Sequence, residues 1–193
     1  MSYTLTLGSK APDFSLINTE KKTYSLKDFA DHKGLVIFFT CNHCPYVTSS
    51  DPLTSEVAKK YQKYNIGFVA INSNSEHTYK EDSFDNMVNR MKEQQFPWIY
   101  LHDQTQEVAR RYGALRTPHF FLFNKKRELI YTGRGLDNPL HPEKSHTNDL
   151  EKALEEFVHD KTISVPLTNP IGCNIKWEGK DTHWMPPEAC DIV

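Results

Sequence analysis

Two stretches of the chain are apolar without a break, Leu35–Thr40 (LVIFFT) and Ile66–Ile71 (IGFVAI). Their β-branched and aromatic content and short length predict strands buried on both faces. Between them the pattern changes period. After Pro45, apolar residues recur every fourth position at Leu53, Val57 and Tyr61, the spacing of a helix face. Phe84, Met87, Val88 and Met91 recur at three and four and predict a second amphipathic helix. Trp98–Leu101, entered through Pro97, reads as a third buried strand. Gln104–Tyr112 reads as a short helix with Gly113 as its C-cap. His119–Phe123 (HFFLF) is strand-like, and Glu128–Tyr131 returns across the polar turn Asn124–Arg127 as the second arm of a hairpin. Asn148, with Glu151 three residues on, has the form of a capping box. It opens a helix whose stripe is Leu150, Leu154, Phe157 and Val158.

Ahead of this alternation, Phe14–Ile17 and Thr23–Ser25 flank the polar turn Asn18–Lys22 and predict an N-terminal β-hairpin. The order is hairpin, β-α-β-α-β-α, hairpin, helix. It predicts an α/β domain over residues 1–161, a central mixed sheet flanked by helices. Residues 162–193 follow no period. Pro166, Pro170, Pro186 and Pro187, with Gly172 and Gly179, interrupt them repeatedly. Ile171, Ile175, Trp177 and Trp184 give this C-terminal extension something to bury, so it is expected to pack on the domain rather than stay disordered.

Composition narrows the classes of partner. The 193 residues carry 23 Lys and Arg against 25 Asp and Glu, a net charge of −2. Such a balance argues against nucleic acid or an acidic membrane surface as partner. No apolar run reaches the roughly 20 residues of a membrane span. The start of the chain shows no signal-peptide pattern, so a cytoplasmic location is expected. Four cysteines are too few for a disulfide scaffold of this size; in a reducing compartment they are catalytic, metal-binding or simply buried.

Two of the four stand in FTCNHCPYV, where the predicted buried strand ends and a helix begins. At the first turn of a helix the backbone N–H groups lack intrahelical partners and the macrodipole is positive. A thiolate there is stabilised, and its pKa falls from about 8.5 to between about 3.5 and 7.5. The two residues between Cys41 and Cys44 let the second sulfur turn back onto the first. Pro45 suits the first helical position, where its missing N–H is no loss. C-x-x-C in a β-α-β setting is a redox signature. Further on, Arg116-Thr117-Pro118-His119-Phe120 places a proline at the mouth of a strand, where it must begin the strand or occupy a special turn. A cis bond there would present the Thr117 backbone to a neighbouring site.

The order strand–CNHC–helix, Thr-Pro before a hairpin, then a last helix resembles the thioredoxin superfamily. APDFSLINTEKKTYSLKDF is similar to the opening of its redoxin and AhpC/TSA-like branch. FTCNHCPYV, AINSN, EDSF, TPHFFLF and IGCNIKW together resemble a bacterial group within that branch, over the chain to about Trp177. The resemblance implies a thioredoxin-like fold, Cys41 as attacking thiol, Cys44 as resolving thiol, and Pro118 as a cis-proline facing them. Relatives of this kind often carry a cysteine where this chain has Arg116, so a cation replaces a third thiol there.

The activity expected is thiol–disulfide exchange through a mixed disulfide, with a protein or small-molecule disulfide as substrate and a thiol as reductant. No cofactor is called for. His43, if charged and near Cys41, would stabilise its thiolate, and Arg116 would act in the same sense. A thiol-dependent peroxidase, an antioxidant role, is the first alternative. Peroxiredoxins resemble one another in a Thr or Ser three residues before the peroxidatic cysteine and a Pro seven before. Phe38 and Gly34 stand at those offsets from Cys41, and Cys41 and Ile37 from Cys44, so that motif is absent. The second alternative is a metal-binding module in which His43 joins the two cysteines on copper or zinc, although no further ligand is marked. Cys173 reads as a small buried hydrophobe and Cys190 as a free thiol. Glu81 and Asp82 read as acids at a helix start.

Overall fold

In a computed structural model, which describes residues 3–181 and 183–189, the chain builds the expected alternation. The strands are β1 (Leu16–Asn18), β2 (Thr23–Tyr24), β3 (Gly34–Thr40), β4 (Ile66–Asn72), β5 (Ile99–His102), β6 (Arg116–Thr117), β7 (His119–Phe123), β8 (Leu129–Gly133) and β9 (Cys173–Asn174). The helices are α1 (Pro45–Gln62), α2 (Phe84–Gln94), α3 (Glu107–Tyr112) and α4 (Asp149–Val158).

The main sheet runs β2-β1-β5-β4-β3-β7-β8. β3 is parallel to β4 and antiparallel to β7, and β4 is parallel to β5, so the sheet is mixed. Every residue of β3 and β4 is buried, because helices cover both faces. On one face Val36, Phe38, Ala70 and Phe120 meet Val57, Ala58 and Tyr61 of α1, Met87 of α2 and Leu150 and Leu154 of α4. On the other, Ile37, Phe39, Val69 and Phe121 meet Val108 and Tyr112 of α3. Ile175 and Trp177 of the extension complete that second face, almost wholly buried, with Trp184 packed against it.

Element edges differ from expectation by a residue or two, as frayed ends do. The larger shift is in α3, which begins at Glu107, because Gln106 takes a left-handed conformation instead of continuing the helix. Gly113 caps α3 at φ 60°, as the sequence indicates. Two elements have no counterpart in the periodicity, the two-residue strands β6 and β9, which pair antiparallel apart from the main sheet. They are too short to show a period of two.

β3 lies between β4 and β7, and its C-terminal end delivers the chain directly into Cys41. α1 starts at Pro45 with Cys44 as its N-cap, so Pro45 occupies the first helical position. Cys41 is four residues ahead of that position, not on the helix itself.

Candidate active site

The Thr117–Pro118 peptide is cis, and it turns the Thr117 backbone and hydroxyl toward the two cysteines. Cys41 Sγ lies 3.5 Å from Thr117 Oγ1, and the Cys44 thiol donates to Thr117 O at 3.3 Å. Cys41 and Cys44 also pack against each other. Both residues are buried, 1% and 0% exposed.

Beneath Cys41 stands a carboxylate the sequence pattern placed elsewhere. Asp82 belongs to a short 3-10 turn (Lys80–Asp82), while Ser83 caps α2 by accepting from Asn86 N–H. Asp82 is therefore not a dipole-compensating acid but a wholly buried one. Asn42 N–H donates to its Oδ1 at 2.7 Å and Asn74 Nδ2 to its Oδ2 at 2.7 Å. Asn72 Nδ2 donates to its carbonyl at 3.1 Å. Buried carboxylates need such donors, and AINSN supplies one of them, Asn74, while its Asn72 holds the Asp82 backbone. Lys176 N–H in turn donates to Asn74 Oδ1 at 2.9 Å, which ties IGCNIKW into the same cluster.

His43 is where the sequence suggests, close to the site. Its Nδ1 lies 2.8 Å from Asp82 Oδ2, a close ion pair rather than an aligned hydrogen bond, and its ring stacks on Tyr79 with centroids 4.3 Å apart. The contact with Asp82 raises its pKa against the opposing effect of burial. Ligand atoms of Cys41, His43 and Asp82 lie within 4.8 Å of one another. That differs from the expected metal set, which had Cys44 in place of Asp82. The Asp82 oxygens already take hydrogen bonds from Asn42 and Asn74, with which any cation would compete. Arg90 ties α2 to the loop by donating to Asn42 O and pairing with buried Asp51 of α1. Burial pushes the Asp51 carboxyl up to about 6 against the pull of Arg90.

Cys173 is the residue that sequence reasoning undervalued. It is half-buried, packs against Cys41, Cys44 and Val47, and faces Thr117 across the β6–β9 pair. Its thiol and its backbone N–H both favour the charged form of the Cys44 sulfur. The signal was its motif, IGCNIKW, in a segment otherwise without pattern. Arg116 differs from expectation too. Its guanidinium bonds Gly172 O at 3.4 Å and Asn174 Oδ1, on either side of Cys173, and its charge bears on that sulfur. Cys190 lies outside the described residues.

The electrostatics reverse the expected order of the pair. Burial pushes the Cys41 thiol well above the ordinary range, and its hydrogen bond to Cys44 and the charge of Asp82 add to that. Cys44 is pulled well below it, first by the Cys173 thiol, then by the Cys41 thiol, and by backbone N–H groups of Cys173 and Val47. Burial opposes that shift, and the Thr117 carbonyl, which accepts the Cys44 S–H, also favours the protonated form. Position adds to this: Cys44, not Cys41, is the N-cap residue of α1, so the Val47 N–H of the first turn faces its sulfur.

A mixed sheet, a cysteine pair where its central strand turns into a helix, and a cis-proline across from the pair define a thioredoxin-like protein. The chain belongs to the Redoxin family, whose sequence profile matches residues 6–154. It is similar to an uncharacterized conserved protein from Geobacillus kaustophilus, 34% identical, covering 93% of this chain and 96% of that one with a TM-score of 0.86. The thioredoxin domain of a thiol-disulfide oxidoreductase from Bacteroides vulgatus shares the fold at 18% identity, over 80% of this chain and 99% of its own, with a TM-score of 0.61. Thiol-disulfide oxidoreductase ResA of Bacillus thuringiensis subsp. konkukian (strain 97-27) is 26% identical over 67% of this chain and 70% of its own length. Among the described residues no helix is long and apolar enough to cross a membrane.

Proposed function

We propose that the protein is a thiol–disulfide oxidoreductase whose electrons are carried by a Cys41–Cys44 dithiol/disulfide couple. The observation that carries this reading is that the two cysteines pack together and each sulfur contacts Thr117 beside a cis-proline. Family membership and the activity named for the relative ResA support the reaction class. Cys41 thiolate attacks a disulfide sulfur of the substrate, and the first substrate sulfur leaves with the electron pair and takes a proton. Cys44 then attacks Cys41 Sγ, the second substrate thiol leaves, and the pair remains as a disulfide.

Because Cys44 holds the charge more readily, Cys41 becomes the nucleophile by passing its proton to the adjacent Cys44 sulfur. The two thiols titrate as a pair, not as independent groups. His43, paired with Asp82, holds positive charge beside that pair. Arg116, Thr117 and Pro118 form the wall a substrate would meet. The partners are a protein or small-molecule disulfide and a thiol reductant, and a cytoplasmic setting is proposed on cysteine usage alone.

Equilibration against glutathione, with thiols trapped and counted, tests this reading. Wild type should show one reversible two-electron couple, lost in Cys41→Ser and in Cys44→Ser. A wild-type protein that never forms the Cys41–Cys44 disulfide overturns it. Peroxide consumption by the reduced protein, faster than by free cysteine, would instead favour the peroxidase. Stoichiometric zinc or copper that survives dialysis and protects both thiols would favour the metal module.

A further inference from the structure

Residues 171–175 are built onto the site as deliberately as the cysteine pair. β9 adds antiparallel to β6, with Cys173 opposite Thr117 and Asn174 opposite Arg116. Ile175 N–H donates to Leu115 O at 3.2 Å and carries the attachment past the end of that pair. Gly172 lies so close to the Thr117–Pro118 peptide that a Cβ on it would stand 2.1 Å from Thr117 O. No other residue type fits there without moving the backbone. Arg116 bonds the chain on both sides of Cys173. What these contacts hold in place is one sulfur, against Cys44.

Packing alone does not account for that sulfur. Cys173 is only half-buried, whereas Cys41 and Cys44 are almost wholly covered. Cys44 thus lies between two thiols packed against it. One neighbour is interior and the other borders solvent.

We propose that Cys173 is a third redox thiol of this site, exchanging with the Cys41–Cys44 disulfide to give a Cys44–Cys173 disulfide. This rests on the proposed Cys41–Cys44 couple. Cys173 gives up its proton and its sulfur attacks Cys44 Sγ. The Cys44–Cys173 bond forms as the Cys41–Cys44 bond breaks, and Cys41 leaves with the electron pair and takes the proton. One disulfide and one thiol become one disulfide and one thiol, with no outside oxidant. The step moves the disulfide from the covered pair to a strand at the surface, where a reducing thiol reaches it. Cys44 is the shared partner because its sulfur is packed with both Cys41 and Cys173.

The test uses the full chain with Cys190→Ser, so that only three thiols remain. The protein and its Cys41→Ser and Cys173→Ser derivatives are oxidised with oxidised glutathione, alkylated, digested and mapped by mass spectrometry. Folding is checked by circular dichroism. Folded Cys41→Ser should lose both remaining thiols to a Cys44–Cys173 disulfide. The three-thiol protein should yield Cys41–Cys44 and Cys44–Cys173 peptides together. Cys44 left as a glutathione adduct in folded Cys41→Ser, or Cys173 linked only to Cys41, overturns the proposal. Should Cys41→Ser not fold, absence of a Cys44–Cys173 peptide from the three-thiol protein overturns it equally. Cys173→Ser reads the other question separately: if it forms no Cys41–Cys44 disulfide, the oxidoreductase reading fails whatever Cys173 does.

Discussion

His119 follows the cis-proline directly and has no contact with solvent, so acid should weaken the fold through it. The ring is 1% exposed, takes the Leu115 N–H at Nδ1 (3.3 Å) and meets Thr132 Oγ1 at Nε2 (3.2 Å). Burial pushes its pKa from 6.5 down to about 3. The unfolded chain takes up a proton below its ordinary pKa that the folded chain refuses. Stability from this group is therefore present above about pH 6.5 and is lost as pH falls toward 3. Between pH 7 and pH 5 the loss is about 2 kcal/mol, since each pH unit inside the window contributes about 1.4 kcal/mol. Urea unfolding at both pH values, under reducing conditions, measures it. The difference between wild type and His119→Gln isolates it, because every other titrating group is common to the two proteins. Gln keeps a hydrogen-bonding head but takes no proton, so its loss between pH 7 and 5 should be smaller by about 2 kcal/mol. Equal losses in the two proteins, or a His119 ring that titrates near 6.5 by NMR, would refute the reasoning.

Other outcomes follow from the site and the extension. His43→Asn removes positive charge that favours the reduced, thiolate-bearing pair, so the Cys41–Cys44 potential should become more negative by a few tens of mV at pH 6, about 30 mV per 1.4 kcal/mol. The difference should shrink as pH rises through the raised His43 pKa; a shift independent of pH would mean that charge is not the cause. Gly172→Ala cannot seat its Cβ against Thr117 O, so β9 should lift and alkylation of Cys44 should speed up by about tenfold per 1.4 kcal/mol of seating lost. An unchanged alkylation rate would show that β9 does not cover the sulfur. Ending the chain after Lys161, the proposed boundary of the domain, removes the buried side chains of Ile175 and Trp177. At about 1.5–3 kcal/mol each, the loss should be about 3–6 kcal/mol. An unchanged melting curve would show the extension to be independent of the core.

The sheet and its helices were legible because their apolar residues keep a period. β3 and β4 are continuous apolar runs, and α2 and α4 carry clean stripes with Ser83 and Asn148 at their starts. The cysteine pair and the cis-proline were legible because each is a local motif. Asp82 was not, because an acid two residues before a helix looks the same whether it faces solvent or lies under a sulfur. What separates the cases is Asn74, just past another strand end, whose amide satisfies the carboxylate, and Asn72, whose amide holds the Asp82 carbonyl. The order of the thiol pKa values was missed for a similar reason. Cys41 and Cys44 flank a helix start alike in sequence, but only one of them caps it, and the donors that favour Cys44 arrive from β9. β6 and β9, two residues each, are defined only by one another.

The β6–β9 pairing also sets terms for competition. The free edge of β6 beside the cis-proline is the obvious place for an extended partner segment to add its own hydrogen bonds. Here that edge is already filled by the same polypeptide, tethered and therefore present at an effective concentration on the order of millimolar whatever the dilution. An incoming strand gains no net backbone hydrogen bonds by replacing β9, because it only exchanges one set for another. Its apparent affinity is divided by the ratio of closed to open forms. Selection among partners then falls to side chains, which must outbid Cys173 and the Arg116 clamp on either side of it.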